Sequence, residues 1–114
     1  MAKVLILESL KNEVLKKLKG EAVEAFELML SLKNSPQKGK LLGNVGNLVT
    51  KEIKYKSFRF YFITDGHILK IMDESNLIDL LITFVRMSDK KSQQKTINEI
   101  KNVLKHFGPE GFKK

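Results

Sequence analysis

The chain has 114 residues, no cysteine and a formal net charge of +8 at pH 7. This length predicts a single domain, residues 1–114, that can bury a core without disulfides. The lack of cysteine excludes thiol nucleophiles and zinc–thiolate sites. No run reaches the ~18 apolar residues of a membrane span, so we expect no membrane partner and a cytoplasmic location.

The N-terminal third predicts a short strand and then two helices. The strand covers Lys3 to Leu7, and the first helix, which Gly20 ends, carries an apolar stripe. Its residues are Leu7, Leu10, Val14, Leu15 and Leu18. A second helix from about Glu21 to Leu32 has its stripe at Ala22, Phe26, Met29 and Leu30. We expect a helical hairpin whose apolar side covers the sheet that follows.

The segment 33–47, which is rich in glycine, is predicted to be a loop. Its Gly43–Gly46 stretch differs from a phosphate-binding loop because no Lys-Ser or Lys-Thr pair follows. The middle third that contains it, residues 35–70, holds seven Lys or Arg against two acidic residues. This excess indicates a polyanionic partner, most commonly nucleic acid, although a solvated basic face is an equal alternative.

From Lys51 to Ile63 the residues alternate with the period of a β-strand. The dipeptide Asp65-Gly66 predicts a tight turn, and the apolar run from Ile68 to Met72 a second strand of the same hairpin. The alternation places Ile53, Tyr55, Phe58, Phe60 and Phe62 on one face and Lys54, Lys56, Arg59 and Tyr61 on the other. We therefore expect a rigid sheet with cations on its open face.

The last third predicts an acidic loop at 73–76, a strand over 77–87 and a helix from Ser92 to Phe107. Helical spacing is the alternative for 77–87, but β-branched residues favour a strand. Thr96 to Glu99 fits a capping box. The chain is thus predicted to be an α+β protein, with an N-terminal helical hairpin on a small, mainly antiparallel β-sheet and a C-terminal helix.

Three short tracts carry a family resemblance: Lys54 to Tyr61, then Phe84-Val85-Arg86, then Lys90-Lys91 with the helix start after them. With this order of elements, the chain resembles the RelE/ParE toxin superfamily, especially its RelE and HigB branches. The resemblance implies the RelE-like fold and a role as the toxin component of a type II toxin–antitoxin system. It also implies a cognate protein antitoxin as partner and cleavage of messenger RNA at the ribosome.

By this resemblance, the endoribonuclease uses neither metal nor cofactor. Arg59 and Arg86 would clamp the scissile phosphate, because a guanidinium donates paired hydrogen bonds to phosphate oxygens. Lys54 or Lys56 would act as the base only if neighbouring cations lowered its pKa. His106 is the one candidate for the family's C-terminal acid–base residue. The predicted nucleic-acid-binding residues are Lys51, Lys54, Lys56, Lys90 and Lys91.

Structural roles are the alternative for each of these residues. Lys54 and Lys56 would be solvated strand residues, Arg59 would pair with Asp79 or Glu52, Arg86 would be a strand-end charge, and His106 would complement a helix end. The alternative functions are a non-catalytic nucleic-acid-binding protein or a gyrase-directed ParE-like protein. Met87, which stands where the family has a second basic residue, leaves catalysis open. We expect Lys54, Lys56, Arg59 and Arg86 to converge on one exposed concave face.

Overall fold

A five-stranded mixed sheet lies between two helical layers in the computed structural model, which describes residues 2–70 and 80–113. The sheet order is β1-β5-β4-β3-β2, with β1 parallel to β5 and the other pairs antiparallel. The strands are β1 (Lys3–Ile6), β2 (Lys40–Val45), β3 (Leu48–Tyr55), β4 (Phe58–Asp65) and β5 (Leu81–Asp89). The helices are α1 (Glu8–Leu18), α2 (Ala22–Leu30), α3 (Gly66–Lys70) and α4 (Gln93–Phe107), with 3₁₀ turns at Lys19–Glu21, Ser31–Lys33 and Pro109–Lys113.

The predicted α+β class with helices beside a mainly antiparallel sheet is confirmed at this level. The order of elements matches in part: the strand predicted at Lys3 to Leu7 is present as β1, an edge of the sheet beside β5, whereas β2 and α3 lie where the sequence predicts a loop and a strand. Leu81 to Met87 is strand, as the β-branched residues favoured. The acidic loop at 73–76, Leu77 and Asp79 lie outside the described residues.

The sheet has an apolar core on each face, and β4 contributes to both. Phe60 and Phe62 pack with α1 and α2, whereas Tyr61 and Ile63 pack with α4. This is the period-two alternation that the sequence predicts. The helix-hairpin core includes Leu10, Val14, Ala25, Met29, Ile82 and Phe84, and the α4 core includes Val85, Ile100, Leu104 and Phe112.

The two N-terminal helices lie close to their predicted bounds, but their buried stripes are narrower. Leu15 is 53% exposed and Leu30 is 38% exposed, since neighbouring residues of each helix already face the sheet. The first helix ends at Leu18, and the positive φ of 49° falls on Lys19 rather than on Gly20. At the other end of the chain, α4 begins at Gln93, so Thr96 lies within it and does not form a capping box.

The predicted hairpin turn at Asp65–Gly66 is wrong. Asp65 Oδ1 accepts hydrogen bonds from the backbone N–H groups of His67, at 2.9 Å, and Ile68, at 3.1 Å. An aspartate that satisfies the first free N–H groups favours the start of a helix, so α3 begins where a second strand was expected. The hairpin turn lies at Lys56–Ser57, with a φ of 55° at Lys56.

The predicted loop 33–47 contains β2, which pairs with β3 along the outer edge of the sheet. The two strands are joined at Gly46–Asn47, where Gly46 has a φ of 59°. A two-residue connection with positive φ matches the right-handed twist of paired strands, which explains why this glycine-rich segment forms a hairpin. The strand brings Lys40 to the side of the sheet that α4 covers.

Candidate nucleic-acid interface

The strand register places Arg59 and Arg86 on the same face of the sheet. Arg59 lies opposite Ser88, and Tyr61 lies opposite Arg86. The pairing then shifts between Tyr61 and Phe62. This bulge adds one residue to β5, so that Arg86 as well as Val85 lies on the side of α4. The two arginines therefore share a face, but each has its own surroundings.

Arg59 is buried, with 7% of its surface exposed. Its Nη1 lies 3.4 Å from the carbonyl oxygen of Ser57, and its Nε is buried without a hydrogen-bond partner among the described residues. The expected ion pair with Glu52 does not form, and Asp79, the other expected partner, lies outside the described residues. Arg59 thus carries a buried positive charge with unused donor capacity.

Arg86 is held in place by three contacts. Its Nε donates to Glu99 Oε1 at 2.6 Å, its Nη1 donates to the carbonyl oxygen of Val85 at 2.9 Å, and its guanidinium lies 5.0 Å from the ring centroid of Phe112. The side chain therefore joins β5 to α4 and to the C-terminal 3₁₀ turn. To bind a phosphate bidentately, it would have to exchange Glu99 for that phosphate.

Lys56 lies on the other side of the sheet, so the expected convergence of four cations is wrong for this residue. Its Nζ is 2.9 Å from Glu21 Oε1 and 5.5 Å from the ring centroid of Tyr55, whose hydroxyl donates to Glu24. The hydrogen bond with Glu21 raises the pKa of Lys56. This shift is opposite to the one that a general base needs.

Lys51 also lies away from the expected binding surface. It is 6% exposed, and its Nζ donates to the carbonyl oxygen of Gln37 at 2.9 Å. Burial lowers the pKa of this lysine. Because it lies opposite Phe62 in the strand register, it belongs to the side of the sheet that α1 and α2 cover. It therefore cannot contact a nucleic acid while the chain is folded.

His106 lies in the last turn of α4, exposed to solvent. Its Nδ1 is 2.8 Å from the carbonyl oxygen of Asn102, one turn earlier in the same helix. No contact joins it to Lys54, Arg59 or Arg86 in the part of the chain that the structure describes. This position agrees with the alternative of a helix-end residue.

Tyr61 and Ser88 form a buried hydrogen bond beside Arg59, with 2.8 Å between their hydroxyl oxygens. Burial raises the pKa of Tyr61, while the bond to Ser88 acts in the opposite direction. The phenol therefore stays protonated at neutral pH. This arrangement stabilises the packing of β4 against β5 and leaves Tyr61 in the core.

Four lysines gather at a different place, between β2, the β5–α4 connection and α4. They line a groove of about 570 Å³, hereafter the lysine groove. The lysines are Lys40, Lys90, Lys91 and Lys101, and the other lining residues are Leu41, Leu42, Gln93, Gln94 and Ile97. The described lining contains no carboxylate. Among the described residues, none of these four lysines forms an ion pair, unlike Lys56 and Arg86.

The elements that carry these lysines are tied together. Asp89 Oδ1 accepts the backbone N–H of Ser92 at 2.8 Å, which fixes the connection that bears Lys90 and Lys91 and lowers the pKa of Asp89. Gln93 Nε2 donates to the buried carboxylate of Glu52 on β3, at 3.1 and 3.3 Å. These bonds fix the backbone elements that carry the lysines relative to one another.

Glycine explains the close approach of α4 to β2. A Cβ added to Gly43 would lie 3.4 Å from Lys101 Cε, so the aliphatic stem of Lys101 already covers this glycine. A lysine stem that packs on apolar or backbone surface keeps its ammonium group at the solvent. Lys101 is therefore positioned at the rim of the groove.

Sequence reasoning identified Lys90 and Lys91 but missed Lys40 and Lys101. Lys40 lies in β2, in the glycine-rich segment that the sequence predicts to be a loop. Lys101 could have been found, since it follows Gln94 and Ile97 on one helix face at spacings of three and four residues. Lys54, also predicted, is exposed on the α4 face beside Arg59 and Ser88, at the end of the sheet where Lys90 and Lys91 follow β5.

Two absences hold for the described residues, 2–70 and 80–113. None of their helices has both the length and the apolar character needed to cross a bilayer. They contain no group of three or more His, Asp or Glu side chains arranged to hold a metal ion. Comparison with protein-family models, with curated proteins and with solved structures finds no match to this chain. The candidate function therefore rests on the residues and their geometry.

Proposed function

We propose that this protein binds RNA through the lysine groove. The observation that carries the proposal is the gathering of four lysines from three elements with no carboxylate in the described lining. Such an array binds the phosphate backbone, because each lysine that contacts a phosphate releases condensed counterions. The exposed Lys54 extends the positive surface along the end of the sheet. This corresponds to the non-catalytic alternative from the sequence.

Neutralising the groove tests the proposal. In one variant, Lys40, Lys90, Lys91 and Lys101 are each replaced by glutamine. In the control, four exposed lysines elsewhere, Lys3, Lys16, Lys33 and Lys105, are replaced in the same way, so both variants lose the same formal charge. RNA affinity is measured by fluorescence anisotropy across a salt series.

The groove variant should lose about 0.7 units of the log–log salt slope per lysine, or about 3 units in all, if every lysine contacts a phosphate of a single strand. The control should keep most of the slope. Equal losses in both variants would show that net charge alone determines binding, and the groove would not be the interface.

As the biological setting, we propose a RelE-like toxin with a cognate protein antitoxin. Two things support it: the resemblance of the Lys54–Tyr61 and Phe84–Arg86 tracts, and an α+β arrangement with a helical hairpin and a C-terminal helix against the sheet. An acidic antitoxin segment would compete with RNA for the lysine groove. Induced expression in a permissive host, with growth and transcript integrity followed together, tests the setting. Arrest with intact transcripts would favour the gyrase-directed alternative.

A metal-free endoribonuclease is the second candidate, and the observation that favours it concerns Arg59. Its buried Nε has no partner among the described residues, and it lies on the same face as Lys54 and Arg86. A guanidinium with unused donors can stabilise charge that develops on a phosphate. Messenger RNA on the ribosome would be the substrate, and Glu99 would have to release Arg86.

Single-turnover cleavage separates the two candidates. If the arginines act in the transition state, Arg59→Ala and Arg86→Ala should slow cleavage by about 10²–10³-fold and change RNA affinity much less. The groove variant should show the reverse pattern, with weaker binding. Equal losses of binding and cleavage in all variants would reject the catalytic candidate and leave RNA binding.

A further inference from the structure

We propose that the lysine groove takes the backbone of double-stranded RNA in preference to an unpaired strand. This inference rests on the proposed RNA binding and specifies its substrate class.

The spacing follows from α4. Lys90 and Lys91 precede its first residue, Gln93, and Lys101 lies eight residues further along. At a rise of 1.5 Å per residue, Gln93 and Lys101 are about 12 Å apart along the helix axis, and Lys90 and Lys91 lie before Gln93. Two separated groups of cations match a ligand with two phosphate rows, such as an RNA duplex presents across its wide, shallow minor groove.

The side chains between the lysines suit a backbone rather than exposed bases. The apolar part of the groove is aliphatic, from Leu41, Leu42 and Ile97. Proteins bind unpaired bases mainly by stacking them on aromatic rings, which adds about 1–3 kcal/mol per base. Ammonium and amide groups instead contact phosphates and sugars, the groups that a duplex presents at its surface.

Gln94 favours RNA over DNA. The residue lines the groove, and its Nε2 donates to Asn98 Oδ1 at 3.1 Å. Its Oε1 has no partner among the described residues. A carbonyl oxygen in this position can accept a hydrogen bond from a ribose 2′-hydroxyl, which DNA lacks.

Rigidity adds to the preference. The Asp89–Ser92 and Glu52–Gln93 hydrogen bonds and the Lys101 stem across Gly43 fix the relative positions of the elements that carry the lysines. A flexible strand must lose conformational entropy to match a fixed array, whereas a duplex is already stiff. The duplex therefore retains more of the binding free energy that the lysine–phosphate contacts supply.

The test compares three ligands of one sequence by fluorescence anisotropy: an RNA duplex of about 16 base pairs, the length that one double-stranded-RNA-binding domain covers, its unpaired strand, and the DNA duplex. We expect the RNA duplex to bind at least about tenfold more tightly than the strand, a difference of about 1.4 kcal/mol. Lys40→Gln with Lys101→Gln should reduce this preference, and the matched pair Lys33→Gln with Lys105→Gln should leave it.

The outcomes separate the two proposals. A strand that binds as tightly as the RNA duplex would overturn the present inference and leave RNA binding intact. No binding to any of the ligands would overturn both. A DNA duplex that binds as tightly as the RNA duplex would overturn the choice of RNA, and a Gln94→Leu variant, which should bind duplex RNA more weakly and duplex DNA equally well, checks that choice independently.

Discussion

Arg86 and Glu99 form an ion pair between β5 and α4, with 2.6 Å between Nε and Oε1. Both side chains keep contact with solvent, with 27% and 49% of their surfaces exposed. Ion pairs in such surroundings stabilise a protein by less than about 1 kcal/mol. Arg86 also stacks on Phe112 and bonds to a main-chain carbonyl, so its contribution is larger than that of the pair alone.

This difference predicts which of two substitutions lowers the free energy of unfolding more. Glu99→Gln should lower the free energy of unfolding by less than about 1 kcal/mol. Arg86→Ala should lower it by about 1–2 kcal/mol, because the cation–π contact and the packing of the side-chain stem are lost as well. Urea unfolding of both variants and of the double variant measures the coupling. A Glu99→Gln loss as large as that of Arg86→Ala would contradict this account.

Gly66, at the start of α3, leaves no room for a side chain. A Cβ would lie 2.7 Å from Val49 Cγ1 and 3.2 Å from the carbonyl oxygen of Asn47, which accepts the Gly66 N–H at 2.7 Å. Gly66→Ala should therefore destabilise the fold by about 1–3 kcal/mol, as overpacking does. The midpoint of thermal unfolding and the urea midpoint report the loss.

Gly20 is the matched control for this substitution. An added Cβ would have no neighbour within 4 Å, and the residue is not among those with positive φ. Gly20→Ala should be neutral or stabilising by about 0.4–1 kcal/mol, because alanine restricts the unfolded chain. If the two variants lose stability equally, the steric explanation for Gly66 is wrong.

Lys51 predicts a pH dependence of stability. Burial lowers its pKa in the folded state below the ordinary value of 10.5. Below the folded pKa the lysine is charged in both states, and the cost of burying the charge is fully present. As the pH rises from the folded pKa towards 10.5, Lys51 loses its proton in the folded state before it does so in the unfolded state. The cost of burying its charge then disappears, and the free energy of unfolding increases.

A Lys51→Met variant isolates this effect. The free energy of unfolding of the natural protein minus that of the variant should be flat near neutral pH and then rise towards pH 10.5. Urea unfolding at a series of pH values gives both curves, and the other titrating groups cancel in the difference. A difference that falls with pH would mean that a carboxylate stabilises the charged form.

The sequence predicts most of the fold because local patterns decide it. The period of two along β4 and the three-and-four spacing in α1, α2 and α4 are read directly from residue types. The wrong predictions concern short segments whose residues fit two different types of element. Asp65-Gly66 fits both a tight turn and the capped start of a helix, and in the folded chain Asp65 accepts the first N–H groups of α3.

The candidate site is less predictable, because it depends on distances across the sheet. Lys40 and Lys101 are 61 positions apart in the sequence and meet only when β2 pairs with β3 and α4 packs beside it. Lys54 and Lys56 look alike in the sequence, yet the turn between β3 and β4 sends Lys56 to Glu21 on the opposite side. A charge pattern alone cannot show which cations have local partners.

The position of β1 has a consequence for the order of folding. Its partner strand is β5, and their register joins Lys3 to Leu81 and Ile6 to Phe84, whereas β2, β3 and β4 are joined by two-residue turns. The paired residues of β1 and β5 are far apart in the sequence. Bringing them together closes a long loop and costs more entropy than closing a hairpin, so the β2–β4 meander should form before β1 docks. Conservative substitutions at Val4 and Ile6 should accordingly give φ-values near 0, and substitutions in β3 and β4 higher ones. During synthesis, β1 is made before β5 and has no partner strand until β5 has followed it.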